Sequence, residues 1–312
     1  MHPVYIILIV LASILLSMFL SFTYTCYACL FKASRPKKEE QYPTPPGKEY
    51  DEFRDEMVEW IKETDKLPSK EYEIISYDGL KLKAKYFEYS KDAPIEILVH
   101  GYRGTGRRDM SGGISRSFAV GHSALLIDQR GSGNSEGKAV TFGIKEKYDV
   151  RAWIDFVIKE INKDAKIILT GMSMGAATVL MCSALELPEN VIGIIADCGY
   201  STNEGISKIV IRSLHLPPKI VYPCVRIASK VLAGFNIDED SPVEALKKTN
   251  IPVIFFHGDS DALVPHTMGE ENYNACASSK KRFVLIEGAD HGLAYPVNKE
   301  LYIKELKEFF AE

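Results

Sequence analysis

A serine between two glycines, Gly171-Met172-Ser173-Met174-Gly175, stands directly after the apolar run KIILT and directly before the helical stretch AATVLMCSAL. A turn from strand into helix this tight needs small residues on both sides, and it lifts the serine Oγ clear of the backbone. The helix that starts there aims N–H groups at charge developing on a nearby oxygen. A glycine-rich turn with an incidental serine has the same five letters; the strand before it and the helix after it favour a nucleophile. A serine hydroxyl is weak unaided, so the reading requires a later carboxylate and a later histidine, each on a loop at a strand end. Both follow, in that order. The run VIFFHG leads into Asp259-Ser260-Asp261-Ala262-Leu263-Val264-Pro265, and FVLIEG leads into Gly288-Ala289-Asp290-His291-Gly292. His291 is the expected general base. Asp259 and Asp261 compete for the role of orienting it, with Asp261 favoured, while Asp290 stands too near His291 along the chain. The other histidines, at 2, 100, 122, 215, 257 and 266, form no metal-ligand spacing with the cysteines at 26, 29, 182, 198, 224 and 276. Free thiols and no bound metal are the expectation.

These side chains need elements to hold them. After Pro68 the pattern turns to period two, and YEIISY, a turn at Asp78-Gly79 and LKLKAKYF read as a β-hairpin. Short apolar runs at 95–100, 124–128, 166–171, 191–197, 253–258 and 283–288 then alternate with helical stretches at 143–161, 174–186, 242–248, 266–277 and 298–310. The alternation predicts one doubly wound α/β domain with a mostly parallel sheet and right-handed crossovers. Residues 198–241 are far longer than the usual connection of about 2–6 residues and predict a helical cap. Its apolar pieces ISKIVIRSL and VYPCVRIASKVLAGF are interleaved with Lys208, Arg212, Lys219, Arg226 and Lys230. Such a cap either roofs an apolar acyl pocket or packs on the domain away from substrate, and contact with a membrane is a third use.

Gly171 to Gly175, Asp261 and His291, taken with His100-Gly101-Tyr102-Arg103-Gly104 and with Asp128-Gln129-Arg130-Gly131-Ser132-Gly133-Asn134-Ser135, resemble the α/β-hydrolase superfamily over roughly residues 71–310. Within it the chain is most similar to membrane-anchored bacterial esterases, serine aminopeptidases and prolyl-oligopeptidase-like enzymes. The resemblance implies a Ser173-His291-Asp261 triad and an acyl-enzyme intermediate. It also implies an oxyanion hole made by the main-chain N–H groups of Tyr102 and Met174. Esterase activity on a small acyl substrate is the leading reading. Aminopeptidase, thioesterase and a non-catalytic membrane-tethered scaffold are the alternatives, with Glu204 and the Asp238–Asp240 run as the acids that would favour an amine-bearing substrate. The stretch DQRGSGNSEG lacks the G-x-G-x-x-G spacing of a dinucleotide loop, and residues 101–106 lack the Lys-Ser/Thr ending of a phosphate loop, so no cofactor is expected.

No charged residue precedes Lys32, and residues 4–31 form an apolar run longer than the ~20 residues that cross a bilayer core. The run lacks the positive start of a signal peptide, which favours a retained transmembrane helix. Lys32, Arg35, Lys37 and Lys38 follow it and place the large domain on the cytoplasmic side. Residues 32–48, rich in proline, read as a linker, and 49–312 as the hydrolase domain. The net charge of −4 gives no footprint for nucleic acid. The oligomeric state is left open.

Overall fold

The computed structural model describes residues 2–33 and 41–311; Arg35, Lys37, Lys38 and much of the expected linker lie outside the described residues. Helix α1 (Pro3–Cys26) continues through a π-helical turn to Phe31. After α2 (Arg54–Lys66) come the hairpin β1 (Lys70–Ile75) and β2 (Lys81–Phe87), then β3 (Ile95–Val99). Helices α3 (Gly106–Asp109) and α4 (Ser111–Ala119) lead to β4 (Ser123–Ile127), α5 (Glu146–Phe156), β5 (Ile167–Met172), α6 (Met174–Cys182) and β6 (Val191–Asp197). The cap contains α7 (Asn203–Ser213) and α8 (Pro218–Val231). The chain ends with α9 (Pro242–Leu246), β7 (Val253–Gly258), α10 (His266–Ala275), β8 (Lys281–Ile286), α11 (Ala294–Val297) and α12 (Lys299–Ala311).

The eight strands form one sheet in the order β1-β2-β4-β3-β5-β6-β7-β8. The β1/β2 and β2/β4 pairs are antiparallel and the remaining pairs parallel. Parallel strands covered on both faces read as continuous apolar runs, because each alternate residue has its own layer to enter. In β5, Ile167 and Leu169 join the core beneath α5 and α6, whereas Ile168 faces the opposite layer with Tyr302 and Phe309 of α12. The doubly wound α/β expectation therefore holds. Its consequence for chemistry is directional: the carboxyl ends of β3, β5, β6, β7 and β8 all open on one edge.

The two helices between β3 and β4 were not expected from the sequence. In α4, Gly112 and Gly113 weaken helix propensity by about 1 kcal/mol each relative to alanine. Packing recovers it, because a Cβ on Gly112 would lie 2.6 Å from the Trp60 ring, so the glycine lets α2 close on α4.

The start of the chain is tied into the domain. Phe31 is 0% exposed and stacks edge-on to Phe142 and Phe235. Lys32 bridges Ala139, the Ala33 N–H donates to Lys138 O at 2.9 Å, and the Val140 N–H donates to Phe31 O at 2.7 Å. Further on, the guanidinium of Arg54 donates to Thr44 Oγ1, Pro45 O and Gly47 O at 2.7, 3.0 and 2.6 Å. The junction between α1 and the sheet domain thus packs as part of the domain on one side, and the proline segment is pinned to it on the other.

Candidate active site

Ser173 sits at the turn from β5 into α6 with φ 55° and ψ −118°, a left-handed backbone unusual for a side-chain-bearing residue. The flanking glycines are required by contact. A Cβ on Gly171 would lie 2.2 Å from Gly175 O, and one on Gly175 would lie 2.0 Å from Val99 O. The Ser173 N–H donates to Asp197 O at 2.8 Å, which locks the turn to the end of β6.

Asp261 lies just after β7 and His291 just after β8. His291 Nε2 is 2.9 Å from Ser173 Oγ, and its Nδ1 is 2.8 Å from Asp261 Oδ2. An ionised carboxylate only accepts, so Nδ1 carries the ring proton and Nε2 is left to accept from the serine hydroxyl. Burial alone would raise the pKa of Asp261, but hydrogen bonds from His257 and His291 and the N–H of Val264 hold it down at about 2. Its Oδ1 accepts from the N–H groups of Leu263 and Val264 at 3.0 and 2.7 Å. His257 lies beneath, with Nε2 2.8 Å from Val264 O and 3.5 Å from Asp261 Oδ2.

The competing acids have other partners. Asp259 Oδ1 accepts from Gly288 N at 2.8 Å and from Ser260 Oγ at 2.9 Å. Asp290 Oδ1 accepts from Ala262 N at 3.0 Å and from His291 N at 2.7 Å. Both stitch the β7 and β8 loops together, so the ring of His291 meets Asp261. Cys198, Asp261 and His291 place donor atoms within 4.8 Å of one another. Two of the three already bond each other, and burial pushes the Cys198 thiol well up, so it stays protonated beside them.

Met174 is the first residue of α6, and a helix start leaves its first N–H groups without intrahelical partners. The loop after β3 carries Tyr102 and is braced by His100, whose Nε2 accepts from Gln129 N at 3.0 Å while Nδ1 donates to Gly101 O at 2.8 Å. The Tyr102 hydroxyl donates to Leu30 O at 2.8 Å, and Arg103 Nη2 donates to Ala28 O and Lys32 O at 3.2 and 3.1 Å. The loop expected to supply an oxyanion donor therefore grips the end of the apolar N-terminal helix. The neighbouring DQRGSGNSEG stretch is structural. Asp128 Oδ1 accepts from Gly106 N at 2.9 Å, and Arg130 pairs with Asp149 at 2.6 Å and with Asp78 at 2.8 Å.

A cavity of about 410 Å³ opens at Ser173 and His291. Its apolar wall comes from Pro46, Tyr50, Met57, Trp60, Met110 and Tyr295, with the Arg108–Asp109 pair as a polar patch. None of residues 198–241, all of them described, lines it. Of the two main uses expected for the cap, the structure has the second: it packs against Phe31, Phe142 and Met174. Sequence reasoning missed Tyr50, Met57 and Trp60 as cavity residues: Phe53, Met57, Trp60 and Ile61 have the spacing of a helix with one buried face, and that spacing does not say what the face meets.

A family model described as alpha/beta hydrolase fold matches residues 97–239. The uncharacterized protein YqkD of Bacillus subtilis is 27% identical over 191 residues, which span 61% of this chain and 62% of that one, so the match reaches less than two thirds of YqkD. Among solved structures, the Pyrococcus furiosus esterase Pf2001 superposes with TM-score 0.67 at 20% identity, covering 88% of this chain and 98% of that one. Est1E of Butyrivibrio proteoclasticus, described with ferulic acid bound, gives 0.58 at 22% identity over 76% and 97%. At these identities the structures speak to fold. Sheet order, the glycine-flanked turn and the family match over residues 97–239 agree: the chain has the α/β-hydrolase fold.

Proposed function

We propose that the chain is a membrane-anchored serine hydrolase that cleaves ester-like acyl substrates through Ser173, His291 and Asp261. The observation that carries this reading is the unbroken hydrogen-bonded row from Asp261 through His291 to Ser173 at the mouth of the cavity. As Ser173 Oγ bonds to the substrate carbonyl carbon, His291 Nε2 takes its proton. The N–H groups of Tyr102 and Met174 hold the oxyanion, each such donor contributing ~10²–10³ in rate. His291 then gives the proton to the leaving alkoxide as its bond to carbon breaks, and an acyl-Ser173 remains. Water attacks the acyl carbon with His291 as base, the acid departs, and Ser173 regains its proton.

The apolar wall supports an acyl group of moderate size. Three of the four acids that would favour an amine-bearing substrate are engaged elsewhere: Glu204 pairs with Lys208, Asp238 with Arg226 at 2.5 Å, and Asp240 with Lys147 at 2.6 Å. None of the three lines the cavity. Helix Pro3–Phe31 is long and apolar enough to cross a membrane. Retention of this helix is supported by Phe31, whose removal by cleavage after the apolar run would empty a core position. The cytoplasmic placement of the domain rests on Lys32 and the basic residues after it.

The test uses the full chain in detergent, because residues 26–33 pack into the domain. Wild type, Ser173→Ala and His291→Ala are exposed to a fluorophosphonate, then assayed on p-nitrophenyl esters of increasing acyl length, a feruloyl ester and an aminoacyl amide. Labelling of wild type alone, with ester turnover above amide turnover, is the expected result. A folded wild type that neither labels nor turns over any ester overturns the proposal.

A further inference from the structure

Outside the candidate site, several exposed large apolar side chains of the described residues gather on the cap. Leu214 and Leu216, in the turn before α8, are exposed, Leu214 to 62%. Within α8, Ile220 is 68% and Val231 73% exposed, with Ile227 between them. At about 3.6 residues per turn, residues 220, 227 and 231 fall on one stripe along the helix. Val221, Tyr222, Val225, Ala228 and Ser229 occupy the opposite side and are buried against the domain. Lys219, Arg226 and Lys230 run along one border of the stripe and are exposed; Arg226 is held by Asp238 at 2.5 Å. An apolar face of this size bordered by basic side chains matches a helix lying in a membrane interface rather than one left in water.

Position in the fold identifies what covers it. Helix α8 packs against the end of α1, where Thr23 and Cys26 become buried and the apolar run meets the domain. We infer that α8 lies on the bilayer beside the point where α1 leaves it, with Ile220, Ile227 and Val231 in the apolar boundary and Lys219 and Lys230 at the lipid headgroups. The domain then has two membrane attachments, one crossing and one lying flat. Together they fix its orientation, where a single helix would let it swing. The inference rests on α1 being a membrane anchor, and the experiment reads that separately.

The full chain carrying Cys29→Ser, which removes the exposed thiol, receives one cysteine at a time: Ile220→Cys, Val231→Cys, Leu15→Cys in α1, or Lys307→Cys on α12. Each is labelled with an environment-sensitive fluorophore and placed, one chain per disc, in phosphatidylglycerol–phosphatidylethanolamine nanodiscs with or without a nitroxide near the top of the lipid acyl chain. Loss of fluorescence is expected at positions 220 and 231, and not at position 307. Position 15 is expected to give a blue-shifted, lipid-buried emission. A buried signal at 15 with positions 220 and 231 as unquenched as 307 overturns the α8 inference and leaves the anchor standing. A water-like signal at 15 overturns both.

Discussion

Replacing Asp261 by asparagine changes one oxygen to an amide and, by the hydrogen bonds around it, inverts the proton on His291. Asp261 Oδ1 accepts from two backbone donors, Leu263 N and Val264 N. In Asp261→Asn the amide oxygen must keep that place, because turning the NH₂ toward two N–H groups would leave both donors without that acceptor, at about 1–3 kcal/mol for the buried Val264 N–H. The NH₂ then faces His291 Nδ1, which now accepts. The ring proton moves to Nε2, the nitrogen 2.9 Å from Ser173 Oγ, and His291 can no longer take the serine proton. In serine triads of this geometry the same change costs roughly 10⁴ in kcat, about 5.4 kcal/mol at 1.36 kcal/mol per decade. The assay is kcat on a short p-nitrophenyl ester for the full chain in detergent, with Asp259→Asn as the companion. Asp259 bonds Gly288 and Ser260 and does not meet His291, so its variant stays within about tenfold of wild type. Because Asp261 is held at about 2, it stays ionised from mildly acid pH upward and adds no acid limb of its own to wild-type kcat/KM in that range. An Asp261→Asn enzyme retaining a tenth of wild-type kcat, or an equal loss in Asp259→Asn, refutes the tautomer argument.

Two further outcomes follow from how the N-terminal segment packs. Trp60→Ala removes the largest apolar side chain of the cavity wall, so the acyl-length optimum moves to longer esters, each added methylene contributing about 0.8 kcal/mol, or roughly fourfold in kcat/KM; an unchanged optimum would remove α2 from the acyl wall. Phe31→Ala deletes a fully buried ring between Phe142 and Phe235 and costs about 3–5 kcal/mol, lowering the melting temperature on the order of 10 °C in detergent. A shift of less than ~2 °C by differential scanning fluorimetry would mean that residues 26–33 are not part of the folded domain.

The strands, their alternation with helices and the turn at Ser173 were legible because parallel-sheet burial writes itself as apolar runs and because only small residues pass between β5 and α6. The choice among Asp259, Asp261 and Asp290 was only partly legible. All three stand one to four residues beyond a strand, and what separates them is which backbone N–H groups each carboxylate accepts, a property of two loops folded together. Helix α4 was hidden by Gly112 and Gly113, whose use is contact with Trp60 rather than local propensity. The cavity wall was hidden for a different reason: Met57 and Trp60, with Phe53 and Ile61, carry the spacing of an ordinary buried helix face, and nothing in spacing tells whether that face meets a core or a substrate.

The position of the cavity follows from what else the cap must do. A segment such as 198–241, inserted after β6 at the open edge of the sheet, is well placed to roof the serine. Here its inner surface is occupied by Phe31, by Phe142 and by the end of α1, which leaves no room for an acyl chain on that side. The opening beside Ser173 is instead closed by the segment that precedes the sheet, with Arg54 pinning residues 44–47 and α2 closing on α4 through Gly112. The two coverings have exchanged duties, and both are tied to the same stretch of chain. The loop that holds Tyr102 touches α1 through Leu30 O and lines the cavity on its other side. A displacement of residues 28–32 is therefore passed to the loop of the candidate oxyanion donor through Tyr102 and Arg103, which couples the end of the apolar N-terminal helix to the candidate site.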